Sequence, residues 1–233
     1  MTIVVVGALG VYAALIGLFH LQTDGFEQRN VLPYCTMQAA PIISLAFVAY
    51  LGLSFFADAL RTRCALGLLC SGIGDFLLST TDLGFYFGTV FFALGHLFYI
   101  SYFAVFLRQV SAMVAVSTFV YAMAVNHLFI VPFHRHVPLR MCTLYAYTLV
   151  IGAADVVAGS LYLNGSIFGQ SGDEFRCLCL GYLIFSASDT LVLFEHLNFR
   201  VPYRRSIILL TYYAAQFLIF HNAHSAAQIE VVE

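Results

Sequence analysis

The 233-residue chain is 61% hydrophobic and only 9% charged, with a mean hydropathy of +0.90. A soluble globular domain is thereby excluded, since such a domain must cover its surface with charge. Ten basic residues, all arginine, against twelve acids give a formal net charge of −2, and the absence of a basic stripe excludes nucleic acid as a partner. With roughly 20 apolar residues needed per helical crossing, the chain has room for about eight spans. The expected fold is all-α: a polytopic transmembrane bundle forming a single integral membrane domain over residues 1–233.

The first span is expected from about Met1 to Leu21. No basic segment precedes it, so it is expected to be a transmembrane helix and not a cleaved signal. A polar joint, Gln22 to Asn30, places Asp24, Glu27 and Arg29 in water. Pro33 and Pro41 set the start of a second span, about Pro41 to Leu60, closed by Arg61-Thr62-Arg63. The third, about Cys64 to Thr81, carries Gly67, Ser71 and Gly74 at three- and four-residue spacing, a small-residue face that lets a neighbouring helix approach closely.

Asp82-Leu83-Gly84 turns into a fourth span, about Phe85 to Leu107, and the fifth covers about Met113 to Val131. A His- and Arg-bearing joint, Pro132 to Pro138, leads to the sixth, about Met141 to Leu163. Asn164-Gly165-Ser166 then forms a glycosylation sequon expected to lie too close to the membrane for use. The seventh and eighth spans are about Phe175 to His196 and about Ile207 to Ala227.

Two acids stand inside apolar runs. Asp75 lies in SGIGDFLLS (Ser71 to Ser79) and Asp189 in GYLIFSASDTLVLF (Gly181 to Phe194), each directly after a small residue, Gly74 or Ser188. An ionisable group near mid-membrane costs about 2.5–3.5 kcal/mol on insertion scales, so it usually faces a polar cavity and has a function there. The third and seventh spans run in the same direction, and counting from each helix start places the acids at similar depth. The matched motifs also suggest two four-helix halves related by duplication.

Two carboxylates in one poorly solvated hollow would share a proton, because desolvation and like-charge repulsion both oppose double ionisation. Such a pair offers an acid that donates and a base that orients water, the requirement for cleaving acetal- and ether-like bonds. The competing structural explanation is that each Asp is a hydrogen-bonding partner in helix packing.

His96 with Tyr99, and Gln216 with Tyr213 or Tyr212, place polar groups on single helix faces, suited either to a substrate head group or to interhelical hydrogen bonds. His221 and His224 share a face but lack the third protein ligand a zinc site wants, so no metal or other cofactor is expected. The six cysteines show no CxxC pattern and are expected as apolar helix residues. Asp155, Glu195 and His196 are expected at solvated rims.

GIGDFLL (Gly72 to Leu78), FALGHLFYISYF (Phe92 to Phe103), GYLIFSASDTLVLF (Gly181 to Phe194) and TYYAAQFLIF (Thr211 to Phe220) resemble, in order and spacing, the YhhN-like family of lysoplasmalogenases. That resemblance implies an eight-helix membrane hydrolase of the lysoplasmalogen vinyl ether bond, releasing a fatty aldehyde and glycerophosphocholine or glycerophosphoethanolamine. It implies Asp75 and Asp189 as the catalytic pair. It also implies His96, Tyr99, Tyr213 and Gln216 as cavity residues; with Ser71 and Ser186, one turn before each acid, they make up the expected substrate-binding set. The implied location is the endoplasmic reticulum membrane in a eukaryote or the inner membrane in a bacterium. One departure stands out: the family often shows a Lys-Pro-Leu-Pro-like stretch before the second helix, and Thr36 to Pro41 here has no Lys.

Two other functions fit part of the pattern. Gly72-Ile-Gly-Asp75 matches the GxGD signature of intramembrane aspartyl proteases, but the chain has neither the Tyr-Asp nor the Pro-Ala-Leu that accompanies it. A proton-coupled transporter would also bury acids, yet the third and seventh spans have no central Pro or double-Gly break.

Overall fold

The computed structural model describes residues 3–27, 31–52, 58–131, 138–196 and 202–229. Arg29, the joint residues 132–137 and the acidic tail 230–233 lie outside them. Eight α-helices follow in order: α1 (Ile3–Gln22), α2 (Val31–Gly52), α3 (Asp58–Leu78), α4 (Asp82–Phe103), α5 (Ala112–Val125), α6 (Pro138–Asn164), α7 (Arg176–His196) and α8 (Arg204–Ile229). A π-helical turn, Asn126–Ile130, extends α5 and a 3-10 turn, Gly172–Phe175, precedes α7. No β-strand occurs among the described residues. Five helices, α2, α4, α6, α7 and α8, are long and apolar enough to cross a membrane. The all-α, multi-pass fold expected from the sequence is the fold observed, although α1, α3 and α5, expected as spans, do not meet that length and apolarity among the described residues.

The helix boundaries around the prolines differ from expectation. The second helix begins at Val31, ten residues before Pro41, and Pro41 lies inside it. Pro33 is third in that helix, within the first turn, where a missing N–H costs nothing. Interior proline is tolerated in membrane helices because neighbouring groups satisfy the freed backbone. Arg61-Thr62-Arg63, expected to close the second helix, instead lie in the first turns of α3, which starts at Asp58. Asp75 is therefore in the last turn of α3, whereas Asp189 is about two turns before the end of α7, and the equal count from the helix starts does not hold.

The chain divides into two compact units, Met1–Tyr99 with His224–Glu233, and Ile100–Ala223. In the first, α3 and α4 meet through small residues. A Cβ on Gly95 would lie 2.9 Å from the Gly67 carbonyl oxygen and one on Gly88 3.0 Å from that of Gly74, while one on Gly67 would strike the Tyr99 ring at 2.6 Å. The expected small-residue face is thus the α3–α4 contact. At the end of α1, Phe26 is fully buried against Phe19 and takes a left-handed backbone (φ 69°). The turn is held by the Thr23 hydroxyl, which donates to the Phe19 carbonyl at 2.6 Å and accepts from Phe26 N–H at 3.1 Å. Asp24 and Glu27 are exposed, as expected.

In the second unit, Ser111 caps α5 by accepting from Val114 N–H, and its own N–H donates to Ser160 Oγ on α6 at 2.9 Å. α7 packs on α8 at Gly181, where a Cβ would sit 3.2 Å from the Ala215 carbonyl. Asn222 Oδ1 also accepts from Leu178 N–H at 3.0 Å. After α6, Asn164 Nδ2 donates to the Gln109 carbonyl at 3.1 Å and Ser166 is buried. The sequon's amide nitrogen is thus engaged in an exposed hydrogen bond.

Candidate active site

The two expected acids fall in different units, and each carries its own polar partners. In the first unit Asp75 is 2% exposed. Its Oδ1 accepts from Gln38 Nε2 on α2 at 3.3 Å, and Gln38 Oε1 accepts from Ser79 Oγ at 2.9 Å. The Tyr12 phenol on α1 lies within electrostatic reach of Asp75. Three helices thus contribute to one buried polar group.

His96 and Tyr99, on α4, are both buried, with ring centroids 5.9 Å apart at an interplanar angle of 71°. Tyr99 also covers Gly67. Ser71 is fully buried beside Gly95, and its hydroxyl donates back to the Gly67 carbonyl at 3.0 Å.

In the second unit Asp189 is half-buried on α7, and its Oδ2 accepts from the Tyr147 phenol of α6 at 2.7 Å. Ser186, one turn earlier on α7, donates to Asp155 Oδ2 at 2.8 Å. The Tyr121 phenol of α5 donates to the Ser186 carbonyl at 3.2 Å and hydrogen-bonds the Thr190 hydroxyl. Asp155 and Asp189 interact electrostatically, and Asp155 Oδ1 is buried with no hydrogen-bond partner among the described residues. Asp155, expected at a solvated rim, instead belongs to the polar cluster around Asp189. The reason is register: α6 runs to Asn164, more than two turns beyond Asp155, and Ser186 reaches it from α7.

Tyr213 and Gln216 on α8 are both buried, with the Tyr212 and Tyr213 rings 5.4 Å apart. Ser188 turns away from this set and donates to the Ile208 carbonyl at 3.0 Å.

The structure adds three residues to those singled out from sequence, Gln38, Tyr121 and Tyr147, and gives Asp155 a changed role. Gln38 lay before the expected start of the second span at Pro41, and only the observed start at Val31 brings it into a helix. Tyr121 and Tyr147 were hidden among fourteen tyrosines. Chemically, each set presents a carboxyl oriented by a donor from another helix, which suits it to move a proton from a fixed geometry.

Comparison with known proteins gives a consistent likeness. The profile of the YhhN family matches residues 34–223. "Lysoplasmalogenase TMEM86A" of Homo sapiens is 30% identical over 198 residues, covering 80% of this chain and 76% of that protein. The Bos taurus protein of the same name is 31% identical over 198 residues with the same coverage. "Lysoplasmalogenase TMEM86B" of Mus musculus is 25% identical over 156 residues, 67% of this chain and 61% of that protein. No solved structure matches the chain significantly.

Proposed function

The chain belongs to the YhhN family, and on that premise we propose that it is a membrane-embedded lysoplasmalogenase working through Asp75 and Asp189. The observation that carries the reading is shared by both acids. Each accepts a hydrogen bond from a side chain of a neighbouring helix, Gln38 or Tyr147.

In the proposed reaction one aspartic acid donates its proton to the outer vinyl carbon, and the ether oxygen stabilises the resulting oxocarbenium ion. The second carboxylate removes a proton from water as the water oxygen bonds to the carbon beside the ether oxygen. The hemiacetal then gives its hydroxyl proton to the first aspartate as its bond to the glycerol oxygen breaks, that oxygen takes the proton held by the second, and a fatty aldehyde leaves with a glycerophospho-base. The expected binding set, His96, Tyr99, Tyr213, Gln216, Ser71 and Ser186, would hold the polar end of the lipid, with the alkenyl chain among the phenylalanines. Because Asp75 is so nearly enclosed, a substrate atom reaches it only when a neighbouring side chain swings aside.

A lysophospholipid is delivered by the membrane itself, so the host bilayer, endoplasmic reticulum in a eukaryote or inner membrane in a bacterium, doubles as substrate reservoir. The test is purified protein in detergent with lysoplasmalogen in deuterated water. Released aldehyde carrying one deuterium on the carbon next to the carbonyl supports carbon protonation. No aldehyde, together with lipid flux across sealed vesicles, would make the protein a transporter.

A further inference from the structure

A single buried amide bridges two residues at the end of α3. Gln38 on α2 is 5% exposed; it donates from Nε2 to Asp75 Oδ1 at 3.3 Å and accepts at Oε1 from Ser79 Oγ at 2.9 Å. Asp75 and Ser79 are four residues apart, so one side chain reaches both. The two ends of an amide are not equivalent, because the oxygen only accepts and the nitrogen only donates. With the oxygen engaged by the Ser79 hydroxyl, the nitrogen is turned to Asp75, and the network sets the amide's orientation.

The place of Asp75 in its helix gives such a donor an effect. The acid lies in the last turn of α3, where the final carbonyls have no partner within the helix and the helix dipole disfavours negative charge. The arginines of α3, Arg61 and Arg63, are at its other end, about 18 Å or more along the axis at 1.5 Å per residue. A neutral donor from α2 supplies what the helix cannot.

We propose that Gln38 is a positioning residue for Asp75: its amide, oriented by Ser79, fixes the rotamer of the carboxyl so that proton exchange at Asp75 starts from one geometry. This rests on Asp75 being one of the two acids of the proposed hydrolysis. A residue that merely tied α2 to α3 would affect stability without touching the state of the carboxyl.

The experiment compares full-length wild type with Gln38→Met, Ser79→Ala and Asp75→Asn in detergent, by turnover of lysoplasmalogen and by infrared difference spectroscopy. The Asp75 carboxyl band is identified as the one lost in Asp75→Asn. Gln38→Met, matched in length and without a donor, is expected to lower kcat at least about tenfold, the cost of leaving a buried carboxyl oxygen without that donor, with KM within about twofold. It is also expected to move the Asp75 band. Ser79→Ala, at a half-buried position, should move the same band and lower kcat less, and the double variant should be no worse than Gln38→Met alone, as residues acting in series require. Should Gln38→Met fail to fold, an unmoved band in Ser79→Ala overturns the proposal. Wild-type kcat in Gln38→Met beside an inactive Asp75→Asn also overturns it. Full turnover by Asp75→Asn would instead remove the acid itself from the reaction, a result that no Gln38 variant can mimic.

Discussion

Tyr147 on α6 donates to Asp189 Oδ2 at 2.7 Å, so the acid of α7 is aimed by a side chain from another helix. A phenol can hold a carboxylate in place, and it can pass or share a proton with it. Removing the hydroxyl alone leaves the ring's packing intact. Tyr147→Phe is expected to lower kcat about 10- to 100-fold, part of the roughly 10²–10⁴-fold that a positioned acid or base contributes, and to lower the unfolding midpoint by a few degrees as one hydrogen bond is lost. Steady-state aldehyde release and thermal unfolding in detergent check both parts.

Asp155 serves Ser186 as a hydrogen-bond acceptor at 2.8 Å. Asp155→Asn keeps an acceptor oxygen, whereas Asp155→Ala strands the serine hydroxyl, at about 1–3 kcal/mol for an unsatisfied buried group. The alanine variant is therefore expected to unfold several degrees lower, at about 2–4 °C per kcal/mol for a chain of this size, and the asparagine variant close to wild type. Equal midpoints for the two variants would return Asp155 to a solvated rim.

The α3–α4 contact leaves no room at Gly88, where a Cβ would lie 3.0 Å from both the Gly74 carbonyl oxygen and the Leu78 nitrogen. These are backbone atoms, so the helices must separate. Gly88→Ala is expected to destabilise by about 1–3 kcal/mol, as overpacking does. Gly152→Ala meets only a Thr118 methyl group at 3.5 Å, an ordinary contact, and is expected to be neutral in the same thermal assay.

The proposed chemistry uses no metal. Prolonged chelation is expected to leave aldehyde release unchanged. Loss of activity that zinc restores would transfer the reaction to a site built on His221 and His224.

The helices were legible because apolar runs of membrane length have few other outcomes, and the acids were legible because charge inside such runs is costly. The α2–α3 boundary was not. Pro41 marks a helix start in water, but within a membrane helix it can sit in the interior, and Arg61 and Arg63 read as a joint although they lie in the first turns of α3. Residues that act only through partners distant in sequence were also hidden. Gln38 gains meaning from Asp75, 37 positions on, and Asp155 from Ser186, 31 positions on, and neither pair shares a motif.

The proposed function requires both Asp75 and Asp189, and single-turnover aldehyde release from lysoplasmalogen tests that requirement most directly. Asp75→Asn, Asp189→Asn and the double variant, each shown to be folded, are compared with wild type. Residues that act together are non-additive, so each single variant is expected to lose at least about 100-fold and the double variant to be no slower than the slower single one. Near wild-type turnover by either single variant, or losses that multiply in the double variant, would contradict it.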